Sequence, residues 1–183
     1  GREHRGALLA GALAVAVVLA SSAFPIMVAG VEIGSTVTDG DSFTLDGLAL
    51  VEDDRPAEVA ALRWLDSRPG RPTVVEAPGR AYEWSSVAAT TTGLPGLVGW
   101  THHQENYRPD ERVAARVAAA ERIYTGDSET AAQTMAEYNV TYVYVGPTER
   151  ERYGDGLEGL SERPELSIAY ETESVVIYRV VRQ

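Results

Sequence analysis

Nine consecutive residues, Trp100-Thr101-His102-His103-Gln104-Glu105-Asn106-Tyr107-Arg108, carry the densest mixture of reactive and recognition groups in the chain. Imidazole, carboxylate, guanidinium and two aromatic rings are the groups needed to hold a sugar or a phosphate. Ring faces stack on sugars, and Arg grips an oxyanion with two N–H groups at once. Adjacent histidines diverge on most backbones, so one of the pair should face a site, and His103 is the choice. The turn after Val75, with Glu76 and Arg80, should reach the same edge if the strands preceding the two segments are parallel. The candidate binding residues are therefore Trp100, His103, Glu105, Tyr107, Arg108 and Glu76. The plainer reading is a solvated loop whose Trp100 plugs the core.

Other chemistries find less support. His102, His103, Glu105 and Asp110 are suitable donors for zinc or manganese, but their spacing matches no dedicated ligand pattern such as His-Glu-x-x-His, and no metal is expected. With no Cys there is no disulfide framework, thiolate site or cysteine nucleophile. There is no Gly-x-Ser-x-Gly elbow, and hydroxyls placed like Ser85 and Ser86 more often cap a helix. Gly93-Leu94-Pro95-Gly96 is a turn rather than a phosphate cradle, so no cofactor is expected and no catalytic residue is assigned. Thr148 or Arg150, in Gly146-Pro147-Thr148-Glu149-Arg150, could reach a ligand, although a plain strand-to-helix turn accounts for them. Asn139-Val140-Thr141 is a glycosylation sequon, and Asn139 serves equally well as a helix C-cap.

The elements that must position these groups alternate. Asp53 or Asp54 is expected to cap a helix with Pro56 in its first turn and Val59, Leu62 and Leu65 on its buried stripe; Arg68-Pro69-Gly70 stops it. Thr73 to Ala77 reads as a short strand ended by Pro78-Gly79. A short helix or irregular stretch runs from Trp84 to Thr92, and Leu97 to Trp100 reads as a second strand with a polar loop after it. Pro109 and Asp110 open a long helix with Val113, Val117, Ala120 and Tyr124 at helical spacing. Asp127 or Ser128 caps the next, with Ala131, Ala132 and Met135 inward. Val140 to Val145 is the strongest strand, and Ser167–Glu171 with Ser174–Val181 forms a terminal hairpin. The expected class is α/β: a mostly parallel sheet covered by helices in a three-layer-like arrangement, with an antiparallel hairpin at one edge.

Gly6 to Gly30 is 25 residues long and contains no ionisable group. A helix of that length spans roughly 37 Å, enough for a ~30 Å hydrocarbon core. Arg2, His4 and Arg5 precede it and acidic sequence follows, which places the N-terminus in the cytoplasm and the rest outside. A secretory signal cleaved after Ser21-Ser22-Ala23 is the alternative, but the apolar run continues through Phe24, Ile26, Met27 and Val28. The organisation is then a transmembrane helix (6–30), a linker (31–46) and an extracytoplasmic α/β domain (47–183). The membrane bilayer is the first partner.

The chain of 183 residues has a net charge of −11, with 16 basic residues, all Arg. This balance argues against nucleic acid as a partner, since phosphate binding needs clustered positive charge. An acidic body without Lys suits a high-salt, halophilic setting, where dense carboxylates hold water and their repulsion is screened.

Taken in order, these landmarks resemble the C-terminal part of the Chlor_Arch_YYY family, uncharacterised polytopic membrane proteins of haloarchaea and Chloroflexi. Thr44-Leu45-Asp46-Gly47 resembles that family's element after its last transmembrane helix. Thr92-Gly93-Leu94-Pro95, then Gly99-Trp100, then His103 and Arg108 resemble its Thr-Gly-x-Pro-Thr-Val-x-Gly-Trp-x-x-His-Glu-x-Gln-Trp-Arg block. Tyr142-Val143-Tyr144-Val145-Gly146-Pro147 with Glu149-Arg150 and Tyr153 resembles its Tyr-Val-Tyr-Val-Gly-x-x-Glu-Arg-x-x-Tyr block. The resemblance covers about Leu9 to Val180. Gly96, Gln104, Asn106 and Tyr107 depart from it, standing where the family has Thr, Glu, Gln and Trp. If the family's Glu is an acid, base or ligand, Gln104 cannot replace it.

More distantly, the order of elements is similar to the exposed domains of oligosaccharyltransferase catalytic subunits. That similarity implies a glycosyltransferase of the C superfamily acting on a polyprenyl-phosphate-linked sugar. The catalytic carboxylates of such enzymes lie in loops between early transmembrane helices, so this chain alone would be inactive and would contribute substrate binding. Upstream transmembrane helices, of the same or a neighbouring chain, would be its partners. The alternative is a non-catalytic extracytoplasmic binding, sensor or assembly module.

Overall fold

The computed structural model describes residues 1–38 and 46–181. It divides into two units, Gly1–Leu45 and Asp46–Gln183.

The described residues of the first unit form one helix, α1 (Arg2–Thr38), in which His4–Val31 is long and apolar enough to cross a membrane. Leu13, Phe24 and Ile26 are exposed along it. Pro25 lies inside the helix and removes one backbone donor. The Ser21 and Ser22 hydroxyls donate back to the Val17 and Val18 carbonyls at 2.6 and 2.8 Å. No proline follows Pro25 until Pro56, and the helical backbone runs eight residues into the stretch that composition reads as linker, from Val31 to Thr38. Thr44 and Leu45 of the family-like element lie outside the described residues.

The second unit is an α/β domain. Its helical elements are α2 (Leu48–Asp54), α3 (Pro56–Asp66), α4 (Val87–Thr92), α5 (Thr101–Glu105), α6 (Asp110–Thr125), α7 (Ser128–Glu137) and α8 (Pro147–Tyr153). Its strands are β1 (Thr73–Val75), β2 (Val140–Val145), β3 (Leu166–Glu171) and β4 (Val176–Val180), in the order β1-β2-β4-β3. β1 and β2 are parallel; β4 runs antiparallel to β2 and to β3, which forms the expected hairpin at one edge.

Alternation along β2 explains the layers, because successive side chains leave opposite faces of a strand. Tyr142 and Tyr144 pack with Val51, Leu62, Leu65 and Val87, under α2, α3 and α4. Val143 and Val145 pack with Ala120, Ile123, Ala131 and Met135, under α6 and α7. Two helical layers therefore enclose the sheet. On the first face Trp64 stacks on Tyr170 at 5.3 Å and meets Tyr142 edge-on at 5.5 Å.

Three local expectations change. Asp53 and Asp54 do not cap the Pro56 helix, because they end the separate helix α2, whose Val51 is buried. Arg55 becomes the N-cap of α3, at φ −141° and ψ 54°, outside the helical region that a following proline disfavours. Leu97–Trp100 is not a regular strand. It runs beside β1 through single parallel bridges, Val74 with Gly96 and Gly79 with Trp100, and Gly99 at φ 79° breaks the pleat between them. The polar segment after Trp100 coils into α5 rather than a loop. Arg116 of α6 holds this region by donating to the Leu97 carbonyl at 2.7 Å. The Asp127 cap is as expected, its carboxylate accepting from the Thr130 N–H at 2.9 Å.

Candidate functional site

Because β1 and β2 are parallel, their C-terminal ends open at one edge of the sheet, and the residues after Val75 and Val145 meet there. Three buried glutamates, Glu58, Glu76 and Glu149, occupy the ground beneath that edge. Glu149 ties the two turns together: one oxygen accepts from the Ala77 N–H at 2.8 Å, the other from the Gly146 N–H at 2.9 Å. Glu76 accepts from the Ala88 and Ala89 N–H groups at 2.6 and 2.9 Å. It thereby satisfies the first turn of α4, whose N-cap Ser86 sits at φ 60° and gives no side-chain cap. Glu58 accepts from the Tyr144 hydroxyl at 2.7 Å and pairs with the Arg55 guanidinium at 2.5 Å. The buried Tyr124 hydroxyl lies 2.6 Å from the Tyr144 carbonyl and 3.0 Å from that of Val75.

Burial dominates the electrostatics. It pushes Glu76 up to about 8, helped by the neighbouring Glu149 charge and opposed by the two amide donors. Burial also raises Glu149, against the amides of Ala77 and Gly146. The Tyr144 hydroxyl is raised by burial and then by the Glu58 charge it faces. These carboxylates are occupied by the protein's own donors and hold the edge together.

The surface above carries an aromatic ledge. Tyr82 and Trp100 have ring centroids 5.8 Å apart, and the His103 imidazole meets both edge-on at 6.0 and 5.6 Å. The Trp100 indole N–H donates to the Ser85 carbonyl at 3.1 Å, which fixes that ring. Tyr82 is 90% exposed and sits at φ 63°. A left-handed conformation in a bulky residue costs about 1–3 kcal/mol and persists only where its surroundings hold it.

Three clefts border this edge. One of about 490 Å³ is walled by Tyr82, Trp84 and Trp100, with Leu50, Thr90 and Asp54 among its other lining residues. One of about 520 Å³ lies between Arg55 and Arg152, with Trp84, Ser85 and Thr148. Arg55 there donates to the Thr148 hydroxyl at 3.1 Å, with its guanidinium 5.5 Å from the Trp84 ring centre. The third, about 710 Å³, runs over Val113 and Val117 of α6 and is rimmed by Arg80, Glu105, Glu121 and Arg152.

The residues singled out by sequence scatter over this surface. Trp100 and His103 belong to the ledge, and His103 rather than His102 is the histidine turned onto it. Glu105 lines the α6 cleft. Tyr107 is 87% exposed. Arg108 is exposed too, and neither side chain has a hydrogen bond or ring contact among the described residues. Glu76 is buried with both oxygens engaged. Among the described residues no group of three or more His, Asp or Glu converges as a metal set. Sequence reasoning passed over Tyr82, Trp84, Arg55 and Glu58. The signal for the first two was the close pair of rings in Tyr82-Glu83-Trp84, between a strand and a helix.

No family model matches the chain, and no curated protein matches it. Among solved structures it is similar to the C-terminal globular domain of an oligosaccharyltransferase from Archaeoglobus fulgidus, with 12% identity and a TM-score of 0.45, covering 77% of this chain and 100% of that one. The neighbour is of the kind named by the more distant sequence resemblance. At that degree of superposition it lends this chain no residue role and no activity.

Proposed function

We propose that this chain is the membrane-anchored, extracytoplasmic domain of a glycosyltransferase-like membrane protein, and that it binds the sugar of a lipid-linked substrate without supplying the catalytic carboxylates. The observation that carries the reading is Tyr82: a large ring held at φ 63° and 90% exposed, against Trp100 and His103. Burial does not offset its strain, which points to a use at the surface. The adjoining cleft supplies what a sugar needs, namely ring faces from Tyr82, Trp84 and Trp100, the Thr90 hydroxyl and the Asp54 carboxylate. Arg108, exposed, is suited to the phosphate, and Glu105 lies on the neighbouring cleft. Glu76 positions α4, which carries Thr90. The non-catalytic part is supported by the internal engagement of Glu58, Glu76 and Glu149. Membership of the Chlor_Arch_YYY family belongs to the same proposal and rests on the ordered motifs around Gly99-Trp100 and Tyr142–Pro147.

The test uses the full chain in lipid nanodiscs, titrated by tryptophan fluorescence with soluble oligosaccharides and with a short-chain polyprenyl-phosphate sugar. Saturable binding should weaken at least tenfold in Tyr82→Ala and Trp100→Ala, and no sugar should be turned over. Turnover by this chain would defeat the non-catalytic assignment. Binding unchanged in those variants and in His103→Ala and Arg108→Ala would favour the sensor or assembly module.

A further inference from the structure

We infer that Asn139 is a glycan acceptor that can be modified only before the domain has folded. This rests on the reading that the α/β domain is extracytoplasmic. Asn139-Val140-Thr141 is the one sequon in the sequence. The structure puts Asn139 just past the end of α7, at φ 52° and exposed. Among the described residues its side-chain amide has no hydrogen-bond partner, so it faces solvent and a glycan there would displace nothing.

Thr141 completes the motif. In the pairing of β1 with β2, Thr73 lies opposite Val140 and Val74 opposite Tyr142, which leaves Thr141 as the extra residue of a bulge. Its hydroxyl is likewise without a partner among the described residues, and it opens onto a surface cleft beside Ser167 and Arg179. Both side chains that a sequon presents are therefore free of any internal duty. A left-handed Asn is a common helix ending and explains the backbone there. It does not require a threonine two residues on.

Val140 sets the timing. It is 1% exposed and packs in the core with Val143 and Met135, so the folded protein cannot peel Asn139–Thr141 away as an extended acceptor strand. Transfer must precede the docking of β2. The co-substrate is a lipid-diphosphate-linked oligosaccharide used by a separate transferase. The Asn139 amide nitrogen attacks the anomeric carbon, the new C–N bond forms as the C–O bond to phosphate breaks, the lipid diphosphate departs, and the amide proton passes to a base of that enzyme.

The full chain is synthesised with microsomal membranes that carry such a donor and its transferase, and its mass is measured. The expected result is one glycan adduct, lost in Asn139→Gly and in Thr141→Ala and kept in Thr141→Ser. Asn139→Gly retains the left-handed backbone at low cost, so loss of the adduct there is not loss of the fold. Chain folded and purified before it meets the same membranes, opened with detergent, should accept at least tenfold less. Because the sequence has no Cys, Ser161→Cys reports the side of the membrane separately: protection from an impermeant maleimide until detergent is added places the domain in the lumen. A lumenal domain without adduct, an adduct surviving Asn139→Gly, or equal modification of folded chain would overturn the inference. A domain on the outer face of the microsomes would overturn the topological reading and, with it, this one.

Discussion

Tyr144, at the centre of the sheet, and Glu58, in α3, meet through a 2.7 Å hydrogen bond across 86 residues of sequence. The Glu58 side chain is 1% exposed and its partner Arg55 only 16%. Removing one partner of such a set leaves a buried acceptor or charge alone. Tyr144→Phe should destabilise the domain by about 1–3 kcal/mol, and Arg55→Met by about 3–5 kcal/mol. Urea denaturation of the full chain in detergent checks both. Losses below about 0.5 kcal/mol, the range of ordinary surface substitutions, would show that the cluster does not hold the edge.

Stability should fall as pH rises. In the unfolded chain Glu76 ionises near 4.5, and in the folded domain near 8. Between those values the folded state keeps a proton that the unfolded state has released, so each step upward in pH favours unfolding. Glu149, also raised by burial, adds in the same direction. Urea midpoints from pH 5 to 9 should decline, and Glu76→Gln should flatten the slope at the cost of one amide hydrogen bond. A level profile for the unaltered chain would contradict this account.

A side chain at position 79 has nowhere to go. A Cβ on Gly79 would lie 2.5 Å from both Cβ and Oγ of Ser85. Gly79→Ala should therefore cost about 1–3 kcal/mol, the usual range for overpacking. Adding Ser85→Gly should recover part of that loss; strictly additive effects in the double-variant cycle would argue against contact.

Tyr82→Gly should separate stability from binding. Glycine accepts φ 63° without strain, so the domain should be no less stable and could gain about 1 kcal/mol, read by thermal unfolding. Sugar binding should be lost in the same variant. A clear fall in stability would mean that the ring serves the fold.

Salt should stabilise the domain. The 26 acidic residues after Val31 face 14 arginines, from totals of 27 and 16 less Glu3, Arg2 and Arg5. Screening that excess should raise the urea midpoint between low and molar salt. Equal midpoints would remove the case for a halophilic surface.

The scaffold was readable because burial writes itself into side-chain order. Tyr142 to Val145 alternates so that tyrosines serve one helical layer and valines the other, and Asp127 announces the start of α7. The site was less readable because its determinants have no letter. Glu76 follows a strand and looks like a ligand group, but its partners are the backbone N–H groups of Ala88 and Ala89. Tyr82 carries a left-handed backbone with neither Gly nor Asn to mark it. Leu97 to Trp100 has the composition of a strand, and Gly99 permits a conformation that no ladder accepts. His103 could be preferred to His102 by divergence alone, but the ring it meets, Tyr82, lies 21 positions earlier and only folding brings it near.

The register shift between Ile168 and Tyr170 leaves Ala169 unpaired in β3. Ala169 and Tyr170 consequently turn toward the same face, which lets Tyr170 stack on Trp64. Among the described residues β3 is also the strand with one unpaired flank, whereas β1 has the Pro95–Trp100 segment against its outer side. A row of open backbone donors and acceptors is a template on which another chain can add a strand, and a bulge spoils its regular spacing. The irregularity that seats one aromatic ring thus also works against sheet-to-sheet association at this edge.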